Sequence, residues 1–239
     1  MGLFDKKFCS VCGEKIGLLG NRKLEDGNLC KNCAAKLSPW FSDRRSSTVE
    51  EIKAQLAYRE ANREKVASFI TTQVLGKGTR VLLDENNGTF MVTSASNLAD
   101  ANPDVIAVSD VTGCSMDVDE TKTEIKRKNA DGQEVSYNPP RYSYDYDFYI
   151  TINVNNPYFN EIRFRLNDST IENKNGPEYS SAEAMGNEIK DALLQIRSNY
   201  RQSAAEAARP KQAVTCPHCG ATTIPTENGT CEYCGAALN

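Results

Sequence analysis

The sequence predicts an α+β protein of several domains, in which an antiparallel β-sheet domain with a C-terminal helix lies between two small zinc modules. Eight of the nine cysteines form four Cys-x-x-Cys pairs, two near each end of the chain. The middle of the chain alternates apolar and polar residues with the period of two that is typical of β-strands. The stretch that follows has apolar residues every three or four positions, which indicates a helix. The predicted parts are an N-terminal zinc module (1–45), a connecting helix (46–69), the central domain (70–208) and a C-terminal zinc ribbon (212–239).

The composition limits the classes of protein that need to be considered. The 239 residues are 39% hydrophobic and carry a formal net charge of −4, which excludes a globally basic nucleic-acid binder and a disordered acidic chain. No apolar run approaches the roughly 18 residues of a membrane span. Residues 1–6 lack the features of a secretory signal. We therefore expect a cytoplasmic protein that is not inserted in a membrane.

The spacing of the cysteines predicts two structural zinc sites. Two Cys-x-x-Cys pairs separated by a short loop suit tetrahedral zinc with four thiolate ligands. A disulfide framework and a redox motif are less favoured, because no export signal is present and the motifs come in sets of two. Four sulfur ligands leave no open coordination position, so the zinc ions would be structural rather than catalytic. The predicted ligands are Cys9, Cys12, Cys30 and Cys33 in the first site, and Cys216, Cys219, Cys231 and Cys234 in the second.

The first module has the pattern of a treble clef. Gly13 follows the second cysteine, at a sharp turn where a positive φ is often needed. Asp26-Gly27 lies between leucines and predicts a short hairpin. After Cys33 the chain can form one or two helical turns before Pro39 stops them. The positive end of that helix would favour the thiolates.

The second module resembles the minimal zinc ribbons found at the ends of many prokaryotic proteins. A glycine follows the second cysteine of each pair, and Pro225 and Asn228-Gly229 supply a turn between the pairs. His218 lies inside the first Cys-x-x-Cys loop. We interpret it as an exposed loop residue rather than as a further metal ligand.

A helix over about 48–69 is predicted between the first module and the central domain. Ser47 and Glu50 have the spacing of a capping box. Apolar residues follow at roughly helical spacing, although Arg59 and Arg63 interrupt them. Packing on its own domain is the favoured role of this helix, and a coiled-coil surface for a partner is the alternative.

Six or seven strands joined by short hairpins are predicted between residues 70 and 170. Asn87-Gly88 marks the first hairpin. The clearest alternation covers 142–154, whose Tyr/Phe face we interpret as core rather than as a ligand-stacking platform. Residues 128–140 are predicted to be a mobile loop or a hairpin tip, and Cys114 a small buried hydrophobe. The other candidate strands are 80–84, 89–93, 105–108, 114–118, 124–127 and 162–166.

A C-terminal helix is predicted to pack on these strands. Ser180 and Glu183 again have the spacing of a capping box. Pro210 is expected to end the segment before the second zinc module. The apolar stripe of the helix consists of Met185, Ile189, Leu193, Ile196 and Tyr200.

This order of parts resembles a family of uncharacterised bacterial and phage-encoded proteins, with an N-terminal four-cysteine zinc motif and a pleckstrin-homology-like (PH-like) domain. The resemblance covers most of residues 1–200. It implies a seven-stranded bent sheet, a sandwich or barrel, closed by a C-terminal helix, and it implies no activity. The residues that carry it are Cys9-Ser10-Val11-Cys12-Gly13 with Lys15-Ile16-Gly17, Leu24-Glu25-Asp26-Gly27, Cys30-Lys31-Asn32-Cys33, and the run from Asn156 to Phe164.

Charge and motifs argue against two functions. Residues 69–200 hold twelve basic and twenty acidic residues, and the first hairpin loop, 84–88, is acidic where lipid-binding PH domains carry lysine and arginine. An anionic membrane would repel such a domain, so phosphoinositide binding is disfavoured. There is no glycine-rich phosphate loop, no nucleophile elbow and only one histidine. We therefore predict that the protein is not an enzyme.

Two binding functions remain. The favoured one is a protein-interaction adaptor that presents surfaces and an exposed sheet edge to protein partners. The alternative is a nucleic-acid-binding or regulatory protein that acts through the basic first module. Four thiolates and one Zn²⁺ sum to −2, which lowers the charge of that module and weakens the alternative. The cations that would contact phosphates are Lys6, Lys7, Lys15, Arg22, Lys23, Lys31 and Lys36.

Overall fold

The computed structural model describes residues 7–207, 213–226 and 228–238, except for the side chains of residues 204, 206 and 207. The predictions made for residues 1–6, for Lys6 and for Pro210 lie outside these residues. The chain divides into two compact units, Met1–Ser198 and Asn199–Asn239. It is a mixture of helix and sheet with two small cysteine-rich modules.

The first cysteine-rich module is built from very short elements around a small apolar cluster. Strand β1 pairs with β2, and β3 pairs with β4 across the predicted Asp26-Gly27 turn, where the Leu24 amide donates to the Gly27 carbonyl (3.0 Å). The bounds are β1 (Lys7–Phe8), β2 (Lys15–Ile16), β3 (Arg22–Lys23), β4 (Asn28–Leu29) and helix α1 (Lys31–Ala34). A 3₁₀ turn, Asp43–Ser46, follows.

The N-cap of helix α2 (Val49–Ser68) lies one residue later than predicted. The predicted capping box of Ser47 and Glu50 is wrong by one position. Thr48 is the N-cap, it accepts from the Glu51 amide (3.3 Å), and the Glu51 carboxylate accepts from the Thr48 amide (2.7 Å). The offset arises because Ser47 is used elsewhere: its hydroxyl donates to the Asp43 carbonyl (2.9 Å).

The start of α2 completes the first module. Val49 and Leu56 pack against the buried cluster of that module, and Ile52 belongs to it. The Val49 amide donates to Asp26 Oδ1 (2.7 Å), which ties the β3–β4 hairpin to the end of the helix. A side chain at Gly27 would collide with Val49, so the turn needs glycine for this close approach.

A four-stranded antiparallel sheet follows in the order β5-β6-β7-β8. The predicted hairpin at Asn87-Gly88 is present, with Gly88 at φ +59°. The predicted strand 105–108 is shorter than expected, because Val108–Asp110 forms a 3₁₀ turn. The bounds are β5 (Gln73–Gly76), β6 (Arg80–Asp84), β7 (Thr89–Thr93), helix α3 (Leu98–Ala101) and β8 (Ile106–Ala107).

A three-stranded antiparallel sheet comes next, in the order β11-β10-β9. Its strands are β9 (Val111–Lys128), β10 (Glu134–Val154) and β11 (Glu161–Arg165). The two predicted strands 114–118 and 124–127 are one continuous strand, β9. Residues 128–140, predicted to be a mobile loop or a hairpin tip, are mostly strand, and only residues 129–133 form the tip that joins β9 to β10. Pairing is interrupted between Ser136 and Arg141, where two prolines lack the amide hydrogen that a ladder needs.

β9 and β10 extend well beyond the end of β11 as a two-stranded ribbon. We define the ribbon as residues 121–128 of β9 and 134–145 of β10, none of which is buried. The prediction that the Tyr/Phe face of β10 is core is therefore only half correct. Tyr146 and Phe148 are buried, whereas Tyr142 lies on the ribbon and is 42% exposed.

The main core lies among the two sheets and the last helix. The sheets supply seven strands in all, and the described strands close no barrel. Successive residues of β6 face opposite ways: Val81 and Leu83 join the main core, whereas Leu82 joins a second cluster with Val66 of α2. The largest buried side chains of the main core are Phe90, Phe148, Leu83, Ile150, Ile152, Ile162, Ile189 and Leu193.

Helix α4 (Pro177–Ala207) starts before its predicted cap. The predicted capping box at Ser180 is wrong because Pro177 already occupies the first helical position, where its missing amide hydrogen costs nothing. Ile189, Leu193 and Ile196 of the predicted stripe are buried in the main core, whereas Tyr200 is exposed. The helix crosses the boundary between the two units.

The described residues of the second unit form one short hairpin, β12 (Val214–Thr215) paired with β13 (Thr222–Thr223). An isolated bridge joins Thr230 and Ala237. None of the helices in the described part of the chain has the length and apolar character needed to cross a membrane.

Candidate metal centres

The first two cysteines of the N-terminal cluster lie in a tight turn between β1 and β2. The Gly13 amide donates to the Cys9 carbonyl (2.9 Å), and the Cys9 amide donates to the Glu14 carbonyl (2.8 Å). These bonds curl the chain so that both sulfur atoms point to one place. Gly13 has the predicted positive φ, +75°.

The second pair lies at the start of helix α1. Cys30 is the N-cap of the helix, and its sulfur accepts from the Cys33 amide (3.3 Å). The Cys30 amide in turn donates to Cys9 Sγ (3.4 Å), which joins the turn to the helix. The amides of Cys30 and Cys33 at this end of α1 therefore both donate to sulfur atoms of the cluster.

The four sulfur atoms are spaced for a metal ion and not for a disulfide. All four lie within 4.8 Å of one another. Cys12 Sγ lies 3.7 Å from Cys30 Sγ. Tetrahedral zinc with Zn–S bonds of about 2.3 Å requires sulfur atoms about 3.8 Å apart, whereas a disulfide requires about 2.05 Å.

The ionisation of these thiols also favours a cation. Burial alone would raise the pKa of Cys9, but the backbone amides of Cys12, Cys30 and Val11 donate to its sulfur and lower the pKa to about 6. Burial and the neighbouring sulfur atoms raise the pKa of Cys33. One thiolate therefore forms readily, and further thiolates need a positive ion among them.

The C-terminal cluster consists of two turns of the same kind. The Gly220 amide donates to the Cys216 carbonyl (2.9 Å), and the Gly235 amide donates to the Cys231 carbonyl (2.8 Å). Both glycines have φ of +71°. The second pair therefore lies in a turn, whereas the second pair of the N-terminal cluster lies on a helix.

The sulfur geometry of the C-terminal cluster matches that of the first. Cys216 Sγ lies 3.6 Å from Cys234 Sγ, and Cys219 Sγ lies 3.7 Å from Cys231 Sγ. The Cys219 and His218 amides lower the pKa of Cys216 to about 6, against the effect of burial. Each group of four cysteines could thus hold one metal ion, and four sulfurs at this spacing are consistent with zinc.

The two clusters differ in how far their sulfur atoms are covered. In the N-terminal cluster Cys9, Cys30 and Cys33 are buried and Cys12 is exposed. In the C-terminal cluster Cys216 and Cys231 are buried, and the other two cysteines are exposed. The first cluster is covered by apolar side chains, among them Leu24, Leu29 and Ile52.

The remaining candidates lie outside both clusters. His218 is exposed in its turn and does not belong to the sulfur group, in line with the loop interpretation. Cys114 is only half-buried on β9, where it packs against the main core. Burial raises the pKa of its thiol to about 11, with Lys190 acting in the opposite direction, so the thiol is a poor nucleophile.

The backbone amides that donate to the sulfur atoms were not identified from the sequence. The spacing of the cysteines predicts which sulfur atoms meet, because it is a local property. The bond from the Cys30 amide to Cys9 Sγ depends on how two segments 21 residues apart fold together, and no residue type signals it.

Comparison with known proteins identifies the N-terminal part of the chain only. A family model described as a domain of unknown function (DUF4428) matches residues 7–55. The matched segment contains the whole N-terminal cluster and the first residues of α2, which pack on it. No curated protein matches the chain, and no solved structure does.

Proposed function

We propose that this protein is a non-enzymatic, cytoplasmic adaptor, in which two structural zinc ions stabilise small modules and the central domain presents a surface to protein partners. The two four-cysteine groups support the zinc part of the proposal. Their ligand sets are closed, so each ion would stabilise a fold and offer no position to a substrate.

We also infer that the central domain is PH-like. A four-stranded and a three-stranded antiparallel sheet followed by a helix support this assignment, because the expected fold has seven strands and one C-terminal helix. The buried residues of α4 belong to the same core cluster as residues of both sheets, which supports it further. This inference concerns the fold alone, because a fold does not determine a function.

The β9–β10 ribbon is the observation that carries the adaptor proposal. Across its twenty residues no side chain is buried, and in the described part of the chain β9 and β10 pair there only with each other. Proteins normally cover or shorten an unpaired strand edge, because such an edge can pair with a strand of another chain. Here both edges of a long ribbon are available for a partner strand, which is an established mode of peptide recognition.

The side chains of the ribbon stiffen it without covering its edges. Lys122 Nζ lies 3.9 Å from the centre of the Tyr142 ring, and the Arg141 guanidinium lies 4.6 Å from the centre of the Tyr137 ring. Cation–π contacts of this kind are worth about 0.5–1 kcal/mol each at exposed sites. The ribbon therefore has a defined shape to offer a partner.

Shortening the ribbon tests the adaptor proposal. Thr123 and Ser143 are directly opposite each other, so residues 124–142 can be replaced by Asn-Gly, which forms a two-residue hairpin turn. The intact and the shortened protein would each be used to capture partners from the source cells, followed by mass spectrometry. We expect specific partners with the intact protein and their loss with the shortened one.

Asp131→Asn, a change in the turn that leaves both strands whole, is the matched control and should retain every partner. Zinc content and thermal unfolding of the shortened protein should equal those of the intact protein, which shows that the fold survives. The same partners captured by both proteins would refute the role of the ribbon.

One observation favours the second candidate function, nucleic-acid binding through the first module. Residues 7–45 contain eight lysines and arginines, and none of them forms an ion pair with a described acidic residue. Unpaired cations are available to phosphates. Titration with a 20-nucleotide oligonucleotide distinguishes nucleic-acid binding by this module from the binding of a small phosphate.

A further inference from the structure

A basic cleft lies between the β3–β4 hairpin and the 3₁₀ turn that precedes α2. The basic cleft has a volume of about 810 Å³ and is lined by four cationic side chains, those of Arg22, Lys23, Arg44 and Arg45. Glu25 is the one acidic residue in the lining. Two of these cations, Arg44 and Arg45, come from the 3₁₀ turn, Asp43–Ser46.

Hydrogen bonds to backbone carbonyls hold the two walls of the basic cleft together. The Arg44 guanidinium donates to the Lys23 carbonyl (2.7 Å), and the Glu25 amide donates to the Ser47 carbonyl (3.0 Å). The walls belong to the same small module, whose buried cluster lies beneath β3 and β4. The cations are therefore brought together by the fold rather than scattered over a flexible surface.

The four cations of the basic cleft outnumber its one acidic residue, Glu25. Among the described residues, no acidic side chain forms an ion pair with any of the four cations. Burial lowers the pKa of Arg44, and repulsion from Arg45 and Arg22 lowers it further, so the three guanidinium groups are close enough to repel one another. The Arg22 guanidinium donates to the carbonyls of Leu19 (3.3 Å) and Asn21 (3.4 Å), and these bonds do not use all of its hydrogens.

Arginines that line one cleft without forming ion pairs repel one another, and a bound anion relieves this repulsion. A guanidinium group presents a planar fork that matches two oxygens of one phosphate, which makes arginine the usual residue for binding this group. We propose that the basic cleft binds one phosphate group, either free or at the end of a small phosphorylated molecule, through Arg22, Arg44 and Arg45.

The charge distribution favours a small phosphate over a nucleic acid. Nucleic acids are bound by cations that follow a backbone over several nucleotides. Lys7, Lys15 and Lys31 of the same module do not line the basic cleft, and the chain as a whole is acidic. One compact ligand can enter a local basic cleft, whereas a long polyanion would also meet the acidic remainder of the chain.

Calorimetric titration of the zinc-loaded, full-length protein at low ionic strength tests the proposal. The probes are inorganic phosphate and adenosine monophosphate. Arg45→Ala is the decisive variant, because the Arg45 side chain makes no hydrogen bond among the described residues and its loss should leave the fold intact. We expect one bound phosphate group per chain and an affinity about tenfold lower in Arg45→Ala, the usual effect of one charged hydrogen-bonding group.

Lys31→Ala is the matched control, since it removes one exposed positive charge from the same module outside the basic cleft. It should change the affinity less than twofold. Arg45→Lys should lie between the wild type and Arg45→Ala, because it keeps the charge but loses the planar fork. Equal affinity for both probes would indicate that phosphate alone is recognised, and tighter binding of the nucleotide would indicate an organic phosphate.

Three results would overturn the proposal. The first is the absence of binding of either probe to the wild-type protein, and the second is equal weakening of binding by Arg45→Ala and Lys31→Ala. The third is binding of a 20-nucleotide oligonucleotide, with an affinity that falls steeply with salt and is reduced equally in both variants, while neither small probe binds. That result would assign the positive charge of the module to nucleic acid.

Discussion

The glycines that follow the cysteines at positions 12, 219 and 234 show how single residues control both metal clusters. Gly13, Gly220 and Gly235 all have φ between +71° and +75°. A Cβ atom at any of them would meet no heavy atom within 4 Å, leaving the chain neighbours aside. Glycine is required there for backbone conformation alone, because space is available for a larger residue.

Gly13→Ala should weaken metal binding by the N-terminal cluster. A left-handed conformation costs an alanine about 1–2 kcal/mol relative to glycine, which corresponds to a loss of affinity of roughly fivefold to thirtyfold. Competition with a chromophoric chelator would measure it. Gly17→Ala is the matched control, because Gly17 has neither a positive φ nor a close neighbour. Equal affinities of the two variants would show that the turn is not under this constraint.

Among the elements, α2 is unusual because much of its buried face is polar. Its buried residues are Ile52, Gln55, Arg59, Asn62 and Val66. Arg59 forms a buried ion pair with Asp104 (2.7 Å), and Asp104 also accepts from the Ser38 hydroxyl (2.7 Å). Asn62 Nδ2 donates to the Pro103 carbonyl (2.7 Å). These bonds connect the first module, α2 and the central domain at one place.

Arg59→Met should destabilise the first unit strongly. The Arg59 and Asp104 side chains are 7% and 0% exposed, so the variant leaves a buried carboxylate without its partner, at a cost of about 3–5 kcal/mol. Urea unfolding would measure the loss. Adding Asp104→Leu should restore part of the stability, because the unpaired charge is then removed.

An exposed ion pair on the same helix provides a matched control for the Arg59→Met experiment. Arg63 and Glu60 are also on α2, with side chains 51% and 77% exposed. Arg63→Met should change the free energy of unfolding by no more than about 0.5 kcal/mol, since solvent screens such pairs. If Arg59→Met and Arg63→Met had similar small effects, the buried pair would not be the connection that we describe.

These elements also show which features a sequence can predict. The ends of α2 are predicted within about one residue, because capping is local. Its polar buried face is not predictable, since Asp104 lies 45 residues from Arg59 and only the folded chain brings them together. Arg59 therefore looks like an interruption of the apolar stripe, although it is a buried contact.

The ribbon illustrates a second limit of sequence patterns. Alternation of apolar and polar residues identifies a strand when one of its faces is buried. Residues 128–140 bury neither face and contain few apolar residues, so the sequence predicts a mobile loop or a hairpin tip for them. The cysteine turns are predicted well for the opposite reason, because Cys-x-x-Cys followed by glycine specifies a short local structure.

At the scale of the whole molecule, the two metal clusters lie in different compact units. Each loaded cluster would carry −2, which lowers the formal charge of the protein from −4 to −8. The basic cleft would then be a local positive site on a strongly acidic molecule. This contrast makes the proposed phosphate site selective for small anions.

The purified protein should contain two zinc ions per chain. Cys12→Ser should lower the content to about one ion, because a site with three thiolates binds zinc much more weakly than a site with four. Cys114→Ser is the control and should leave two ions, since Cys114 belongs to neither cluster. Elemental analysis of the native proteins would measure the content. A loss of zinc in Cys114→Ser, or an unchanged content in Cys12→Ser, would contradict the assignment.

Unequal coverage of the two clusters has a consequence for the rate at which metal is exchanged. A chelator or a competing ion must reach a sulfur atom before it can displace the bound metal. One of four sulfur-bearing residues is exposed in the N-terminal cluster, and two of four are exposed in the C-terminal cluster. Two sites with the same donor atoms would therefore release metal on different timescales, with the C-terminal site responding first to a fall in free zinc.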